Sequence, residues 1–365
     1  MPEFSFIVPL KNGESTIEKC LTSIVSQTGD FEVIVVNNGS TDRGVEIART
    51  FNRVGILSCK TPGPGAARNF GSQFARGKYL VFIDADVELS SDWLSEVRDY
   101  LWDSPMDLLA TTVVPAGSDG LVDEFRYFFA YFKSHGQFLS IRKRHTLAPV
   151  VNTAASVCLS SSFVEAGKFN EDLKHNEDLD LSVRMFFKGM NIGACSKATA
   201  KVEFRARFRM FAYLRRTFVK RSHSLMETVP FLESVLPQLR VAKKKSLSLK
   251  LFIIFNEMAG QAGEWFGRLN PRMKKIRNSV RTGWKIKLGR KFERFHFDDG
   301  ESHYYPRKDH FFLFLDESVH LLKFPGLASQ ALGPDIAPAL RKLNRGFPLN
   351  EGELTRLRAL ETFQT

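Results

Sequence analysis

The chain has 365 residues, of which 43% are hydrophobic, and a formal net charge of +12. This length accommodates a catalytic domain and something smaller, and the composition is that of a globular protein. No run of about 18 uninterrupted apolar residues exists and the first residues lack a signal-peptide pattern, so we expect a cytoplasmic protein without a transmembrane helix. Four widely spaced cysteines without a CxxC pair argue against a zinc site and against a disulfide scaffold.

The positive charge is concentrated in one segment of the chain. Residues 201–295 contain 24 Lys and Arg, 6 Glu and no Asp, which is a net charge of +18. The remainder is mildly acidic. A strongly basic segment on an acidic body indicates a surface that meets phosphate groups.

Strands and helices alternate from the start of the sequence. Apolar runs rich in β-branched and aromatic residues predict strands at 4–10, 31–36, 54–58 and 79–83. Segments with helical spacing of apolar residues lie between them, and further strands are predicted at 107–115 and 150–159. This order predicts an α/β fold with a doubly wound, mostly parallel sheet flanked by helices.

The strand predicted at 79–83 ends directly in two carboxylates, Asp84 and Asp86. The carboxyl ends of buried parallel strands are where open α/β sheets bind their ligands. Two carboxylates so close together repel each other unless a cation lies beside them, and Mg²⁺ or Mn²⁺ suits that role. An isolated pair of aspartates is more often part of a solvent-exposed turn, so the prediction of a metal site depends on the neighbouring motifs.

Four motifs occur in order at the ends of the predicted strands: VPLKNGE, VVNNGSTD, GPGAARNFG and YLVFIDADVE. They resemble the ordered motifs of family 2 glycosyltransferases, and the resemblance covers about residues 4–203. It implies a GT-A-like fold, a nucleotide-sugar donor, Mn²⁺ or Mg²⁺, and sugar transfer with inversion. On this basis residues 1–203 are predicted to form the catalytic domain.

The resemblance also implies roles for individual residues. The implied nucleotide-binding set is Pro9, Asn12, Glu14, Asn37, Asn38, Arg68 and Asp84, and the implied metal-binding pair is Asp84 and Asp86. Asn37 stands where the family usually has an Asp that accepts a hydrogen bond from the base, so UDP is only the default and GDP or dTDP stays open. Arg68 is implied to reach the diphosphate, and the alternative is a surface arginine on a helix.

The segment HNEDLDLSVR, which begins at His175, resembles the Glu-Asp motif that supplies the catalytic base in this family. Glu177 and Asp178 are therefore the implied catalytic pair, with Asp178 as the base. A carboxylate at a helix N-terminus is held by free backbone N–H groups, which suits that role. Asp180 and Arg184 are four residues apart and are predicted to form a structural ion pair.

Residues 204–295 are predicted to form a basic helical arm, followed by a small α+β region of unknown role at 296–365. Residues 204–222 have aromatic side chains on one side of a helical wheel and basic ones on the other. This pattern indicates a helix that binds a membrane surface with anionic lipids, or an acceptor. The alternative is a helix packed on the catalytic domain. The residues predicted to make this contact are Arg205, Phe208, Arg209 and Arg216.

The hypothesis from sequence is an inverting, metal-dependent transferase of a single sugar, peripheral to the inner face of a membrane. Single transfer is favoured because the QxxRW pattern of processive relatives is absent. One rival is a nucleotidyltransferase, for which the loop after the first strand is a poor triphosphate site. The other is a non-catalytic scaffold with an inactive GT-A domain that binds membrane or nucleic acid, of which nucleic acid is less expected.

Overall fold

The computed structural model describes most of the first two hundred residues and several later segments. The described residues are 1–116, 151–173, 175–202, 214–215, 217–219, 246–271, 297–298, 303–306, 310–314, 319–323, 329–333, 335–344, 349–360 and 363–364. The first strands are β1 Phe4–Leu10, β2 Phe31–Asn37, β3 Val54–Ser58, β4 Tyr79–Ile83, β5 Val87–Leu89, β6 Leu108–Pro115, β7 Ala155–Leu159 and β8 Ile192–Val202. The later strands are β9 Phe297–Asp298, β10 His303–Pro306, β11 His310–Phe314, β12 Val319–Lys323, β13 Ser329–Ala331 and β14 Phe363–Gln364. The helices are α1 Ile17–Val25, α2 Gly44–Arg49, α3 Pro64–Ser72, α4 Trp93–Asp103, α5 Ser160–Glu165, α6 Glu177–Phe187, α7 Leu247–Leu269, α8 Ala337–Asn344 and α9 Glu351–Arg358.

The large sheet has the strand order β13-β12-β11-β8-β6-β7-β4-β1-β2-β3, and β5 pairs with β8 off this path. Strands β1 to β4 confirm the four predicted strands and run parallel. Strand β7 runs antiparallel between β4 and β6, and β8 is parallel to β6. Among the described strands of this sheet, β5, β7 and β12 run against the others. The predicted α/β sheet is therefore confirmed as mostly parallel.

Helices cover both faces of the sheet and bury the side chains of its strands on both sides. In β4 the side chains of Val81 and Ile83 join one core cluster with α1 and α4. Leu80 and Phe82 point the other way and join a second cluster with α3, α5 and α6. Alternate side chains of a strand point to opposite faces, so a run without polar residues is what two buried faces require.

Strand β7 is shorter than the predicted strand at 150–159. The Oδ1 atom of Asn152 accepts a hydrogen bond from the backbone N–H of Ala154 at 2.9 Å. This contact makes a turn over the residues before Ala155, where the strand begins. Asparagine side chains compete with ladder hydrogen bonds in this way.

The described part of the C-terminal region continues the same sheet and core. Strands β11 and β12 form an antiparallel hairpin, and β11 joins β8 through the pair Phe314 and Gly193. Leu340 on α8 is fully buried in the first core cluster. The proposed division of the chain at residues 203 and 295 stays a prediction. Among the described helices, none combines the length and the apolar character needed to cross a membrane.

Candidate functional site

A cleft of about 290 Å³ opens at the carboxyl ends of β1 and β4. Its lining residues are Pro9, Leu10, Lys11, Asn38, Gly63, Pro64, Asp84, Ala85 and Asp86. Four residues predicted from sequence to bind nucleotide or metal, Pro9, Asn38, Asp84 and Asp86, therefore line one cleft. The position agrees with the rule that open α/β sheets bind ligands at this edge.

Asp84 and Asp86 enter the cleft from a tight turn after β4. The backbone N–H of Asp84 donates to the carbonyl of Ala154 at 3.0 Å, and that of Val87 donates to the carbonyl of Asp84 at 3.0 Å. Within the described residues no group of three or more His, Cys, Asp or Glu side chains is placed to hold a metal ion. Mg²⁺ is commonly bound by one or two carboxylates, with substrate phosphates and water as its other ligands. The two aspartates therefore fit a hard divalent cation.

Arg68 connects this turn to the start of α6. Its guanidinium donates from Nη2 to Oδ1 of Asp84 at 2.6 Å and from Nη1 to Oε1 of Glu177 at 3.0 Å. The residue is only 2% exposed, so the alternative of a surface arginine is wrong. Burial acts to lower the pKa of the guanidinium, but the two carboxylates outweigh it and raise that pKa. Arg68 therefore stays charged and neutralises two acids from distant parts of the chain.

Glu177 and Asp178 open α6, as predicted, but their environments differ. Glu177 is buried and paired with Arg68. Burial raises the pKa of its carboxyl, an effect that Arg68 opposes and Asp178 reinforces. Asp178 is half-buried, and its Oδ1 accepts from the backbone N–H of Leu179 at 2.8 Å. Asp178 is therefore the more accessible carboxylate of the pair.

Helix α3 approaches both the sheet and α6 closely because it carries glycines. A β-carbon at Gly71 would lie 2.7 Å from Cγ2 of Ile7 and 2.9 Å from Cγ2 of Val36. A β-carbon at Gly65 would lie 3.6 Å from Cγ of Glu177. Close packing of this helix is what brings Arg68 within reach of its two partners.

Asn69, the residue after Arg68, is hydrogen-bonded to the turn that contains Phe169. The sequence motif did not predict this contact. Asn69 accepts from the backbone N–H of Phe169 at 3.0 Å and donates to the carbonyl of Phe169 and to Glu171, each at 2.9 Å. The Phe169 ring centroid lies 5.6 Å from the Arg68 guanidinium carbon. The sequence analysis gave a role to neither Asn69 nor Phe169, although Asn69 lies within the motif GPGAARNFG.

The predicted ion pair between Asp180 and Arg184 is present and clamps the same turn. The Arg184 guanidinium donates to Oδ2 of Asp180 at 2.8 Å and to the carbonyl of Lys168 at 2.6 Å. It also donates to the carbonyl of Ala166. The start of α6 is thus braced by two arginines.

Asn12 and Glu14 lie in the loop after β1 and Asn37 is the last residue of β2, and all three are outside the lining of the cleft. Oδ1 of Asn12 accepts from the backbone N–H of Thr41 at 2.8 Å, and Glu14 pairs with Nε of Arg43 at 2.7 Å. Oδ1 of Asn37 accepts from the backbone N–H of Ser40 at 2.9 Å. These contacts lock the two loops together, and direct contact of the three residues with a nucleotide stays a prediction.

Asn38 lines the cleft but also organises its wall. Its side-chain amide donates to the carbonyls of Cys59 at 3.3 Å and Thr61 at 2.7 Å, and its Oδ1 accepts from the backbone N–H of Gly63 at 2.9 Å. The side chain thus fixes the loop that leads into α3. Predicted contacts of the basic arm, at Arg205, Phe208, Arg209 and Arg216, lie outside the described residues.

The family model described as Glycosyl transferase family 2 matches residues 5–164. An uncharacterized glycosyltransferase of Escherichia coli, YibD, is 33% identical over 147 residues, which are 33% of this chain and 43% of YibD. The uncharacterized glycosyltransferase EpsJ of Bacillus subtilis is 34% identical over 124 residues, which are 33% of this chain and 36% of EpsJ. The chain thus spans less than half the length of these relatives.

Among solved structures, the mannosyltransferase PcManGT of Pyrobaculum calidifontis, in complex with GDP-Man and Mn²⁺, is similar with a TM-score of 0.49 and 15% identity. The match covers 77% of this chain and 80% of that one. Staphylococcus aureus TarS 1-349 in complex with UDP has a TM-score of 0.44 and 18% identity, covering 90% of this chain and 98% of that one.

Proposed function

We propose that this chain transfers a single sugar from a nucleotide-sugar donor to an acceptor hydroxyl, with inversion at the anomeric carbon, because the model of glycosyl transferase family 2 matches residues 5–164. The observation that carries the proposal is the ion-pair bridge through Arg68. It ties Asp84 of the cleft to Glu177 of the Glu-Asp motif, 93 positions apart in sequence, which supports a donor site and a base that lie close together.

Asp86, with Asp84 beside it, would hold a divalent cation. The resemblance to the family implies Asp86 as the first ligand, and the side chain of Asp84 pairs with Arg68. A cation bound there would supply positive charge to the departing nucleotide diphosphate. The buried Arg68 pairs with Asp84 and so reduces the repulsion between this carboxylate and Asp86 before any ligand arrives.

Asp178 would be the general base. It is held at the N-terminal end of α6 by the backbone N–H of Leu179 and is more accessible than its neighbour. It would take the proton of the acceptor hydroxyl while that oxygen attacks the anomeric carbon from the side opposite the leaving diphosphate. Glu177, occupied by Arg68, would be a positioning residue rather than the base.

The donor side of the cleft has an apolar floor from Pro9 and Leu10 and a polar edge from Asn38. Asn37 offers an amide where a carboxylate is usual in the resembling family, so the base would be bound without a charge. UDP is the default donor nucleotide, with GDP and dTDP as alternatives. A membrane surface would bring the enzyme to a lipid-linked acceptor.

Nucleotide binding tests the donor site. We would titrate UDP, GDP and dTDP calorimetrically into the wild type, Asp86→Ala and Glu88→Ala, each with and without Mn²⁺. Glu88 is an exposed carboxylate two residues further on and is the matched control. Binding of one nucleotide that needs the cation and is lost only in Asp86→Ala supports the proposal. Failure of all three nucleotides to bind would favour the scaffold alternative.

Transfer activity tests the base. Asp178→Asn should leave donor affinity within about twofold and lower the transfer rate by about 10²- to 10⁴-fold, as loss of general-base catalysis does. Asp172→Asn, an exposed aspartate before the same helix, should behave as the wild type. A wild-type rate in Asp178→Asn would refute the assignment of the base.

A further inference from the structure

Helix α7 carries an apolar face that the described structure leaves exposed to solvent. The helix has 23 residues, so it is about 35 Å long. Its exposed large apolar residues are Leu247, Leu251, Phe255, Met258, Trp265, Phe266 and Leu269, each 45–71% exposed. At about 100° per residue they fall within one arc of about 100°. The polar Ser248 lies at the edge of that arc, and the small Ala262 lies inside it.

The opposite face of α7 is packed against the protein. Leu249, Phe252 and Ile253 are at most 1% exposed, and Glu257 is 4% exposed. The helix is therefore fixed along the surface with one apolar side inward and one outward. A continuous apolar stripe of this length on a water-exposed helix marks an interaction surface.

Basic residues flank α7 in the sequence on both sides. Three lysines, Lys243 to Lys245, directly precede the helix in sequence, and Arg272, Lys274, Lys275 and Arg277 follow it. The surrounding segment, residues 201–295, has a net charge of +18 with no aspartate.

Residues of the preceding segment contact α7 in the structure. The Phe218 ring centroid is 5.8 Å from that of Phe266, and Oγ1 of Thr217 bonds to Oδ1 of Asn256 at 2.7 Å. Arg215, two residues before Thr217, is exposed. The segment that contacts α7 therefore includes a solvent-exposed arginine.

We propose that this face of α7 docks on an anionic lipid surface, with the apolar residues entering the boundary between headgroups and acyl chains. Large apolar residues on one face with cationic flanks are what an interfacial helix requires, and each basic residue near an anionic leaflet adds attraction. A second copy of the chain is a poorer occupant, because it would bring two segments of +18 together. The surface is distinct from the cleft, so docking does not depend on sugar transfer.

Vesicle binding tests the proposal with the full chain. The wild type would be mixed with vesicles of phosphatidylcholine alone, or of equal parts of phosphatidylcholine and phosphatidylglycerol, and sedimented. We expect binding to the anionic vesicles, weakened by added NaCl, with a blue shift of Trp265 fluorescence that is lost in Trp265→Phe. The double variant Leu251→Gln and Phe255→Gln should lower the partition coefficient by about tenfold or more.

The matched control is Trp102→Gln, because Trp102 is 77% exposed on a different helix, α4. It should bind vesicles as the wild type does. Three results would overturn the proposal: no binding to anionic vesicles at low salt, equal binding by the double variant, or a wild-type dimer that the double variant dissociates. Nucleotide binding by the double variant, measured in parallel, should be unchanged and would separate this surface from the cleft.

Discussion

Replacement of Arg68 by methionine removes the cation that neutralises Glu177 while keeping most of the buried apolar volume. The carboxyl of Glu177 then has no counter-charge, and its side chain is only 10% exposed. Asp84 loses the same partner, but its side chain is 37% exposed, so water replaces much of that interaction. The cost of Arg68→Met therefore falls mainly on Glu177.

Protonation of Glu177 limits this cost. A buried carboxyl without a partner takes up a proton, and holding a glutamic acid protonated at pH 7 costs at most about 3.7 kcal/mol, given an unfolded pKa of about 4.3. The cost falls by about 1.4 kcal/mol for each pH unit below 7. Loss of the contact with the Phe169 ring adds about 1 kcal/mol that does not depend on pH.

The direction in which the stability of Arg68→Met changes with pH follows from proton linkage. In Arg68→Met the folded pKa of Glu177 lies far above its unfolded value, so the folded state binds more protons and stability falls as pH rises. Burial already raises the pKa of Glu177 in the wild type, so urea unfolding at pH 5.5 and pH 7 should give a destabilisation that is larger at pH 7 by at most about 2 kcal/mol. The double variant Arg68→Met and Glu177→Gln should lose this difference.

Arg76→Met is the control, because Arg76 also pairs with a glutamate but its side chain is 69% exposed. Its destabilisation should stay below about 1 kcal/mol. An equal destabilisation of Arg68→Met at both pH values would refute the reasoning, since Glu177 would then not be the group that Arg68 neutralises.

Three further predictions concern the sheet and its thiols. Gly71→Ala should destabilise the fold by about 1–3 kcal/mol in urea unfolding, because the new β-carbon would lie 2.7 Å from a side-chain methyl on β1; an unchanged midpoint would contradict the packing of α3. Burial acts to raise the pKa of Glu32, but hydrogen bonds from Ser5 and Arg76 outweigh it and hold that pKa below its usual value. The stabilisation from Glu32 is thus present above the unfolded pKa and is lost as pH falls through the folded pKa. Glu32→Gln should therefore make the loss of melting temperature at acid pH less steep in a thermal-unfolding series. An equally steep loss in the variant would contradict this role of Glu32. Burial, with Asp86 and Asp84 nearby, raises the pKa of the Cys20 thiol, and all four cysteines are buried. A thiol reagent should therefore react slowly with the native chain and rapidly with all four thiols in denaturant. Fast labelling of the native protein would contradict the burial of these thiols.

Much of the sheet and the resemblance to family 2 glycosyltransferases follow from local patterns in the sequence. Strands β1 to β4 are apolar without interruption, which is the pattern that burial on both faces imposes. The motifs at their carboxyl ends lie together because parallel strands end at one edge, so Pro9, Asn38, Asp84 and Asp86 could be placed in a common cleft. The ion pair of Asp180 with Arg184 was also predictable, since it spans a single helical turn.

Contacts between distant segments were decided only by tertiary packing. Arg68 meets partners 16 and 109 residues away, and nothing in its own helix distinguishes a buried bridge from a surface arginine. Helix α7 shows the same limit for surfaces: apolar residues occupy most of its circumference, so periodicity could not say which side is buried. The sequence determined which residues are apolar or charged, whereas the packed neighbours determined which of them face protein and which face solvent, because burial depends on the whole chain and not on local order.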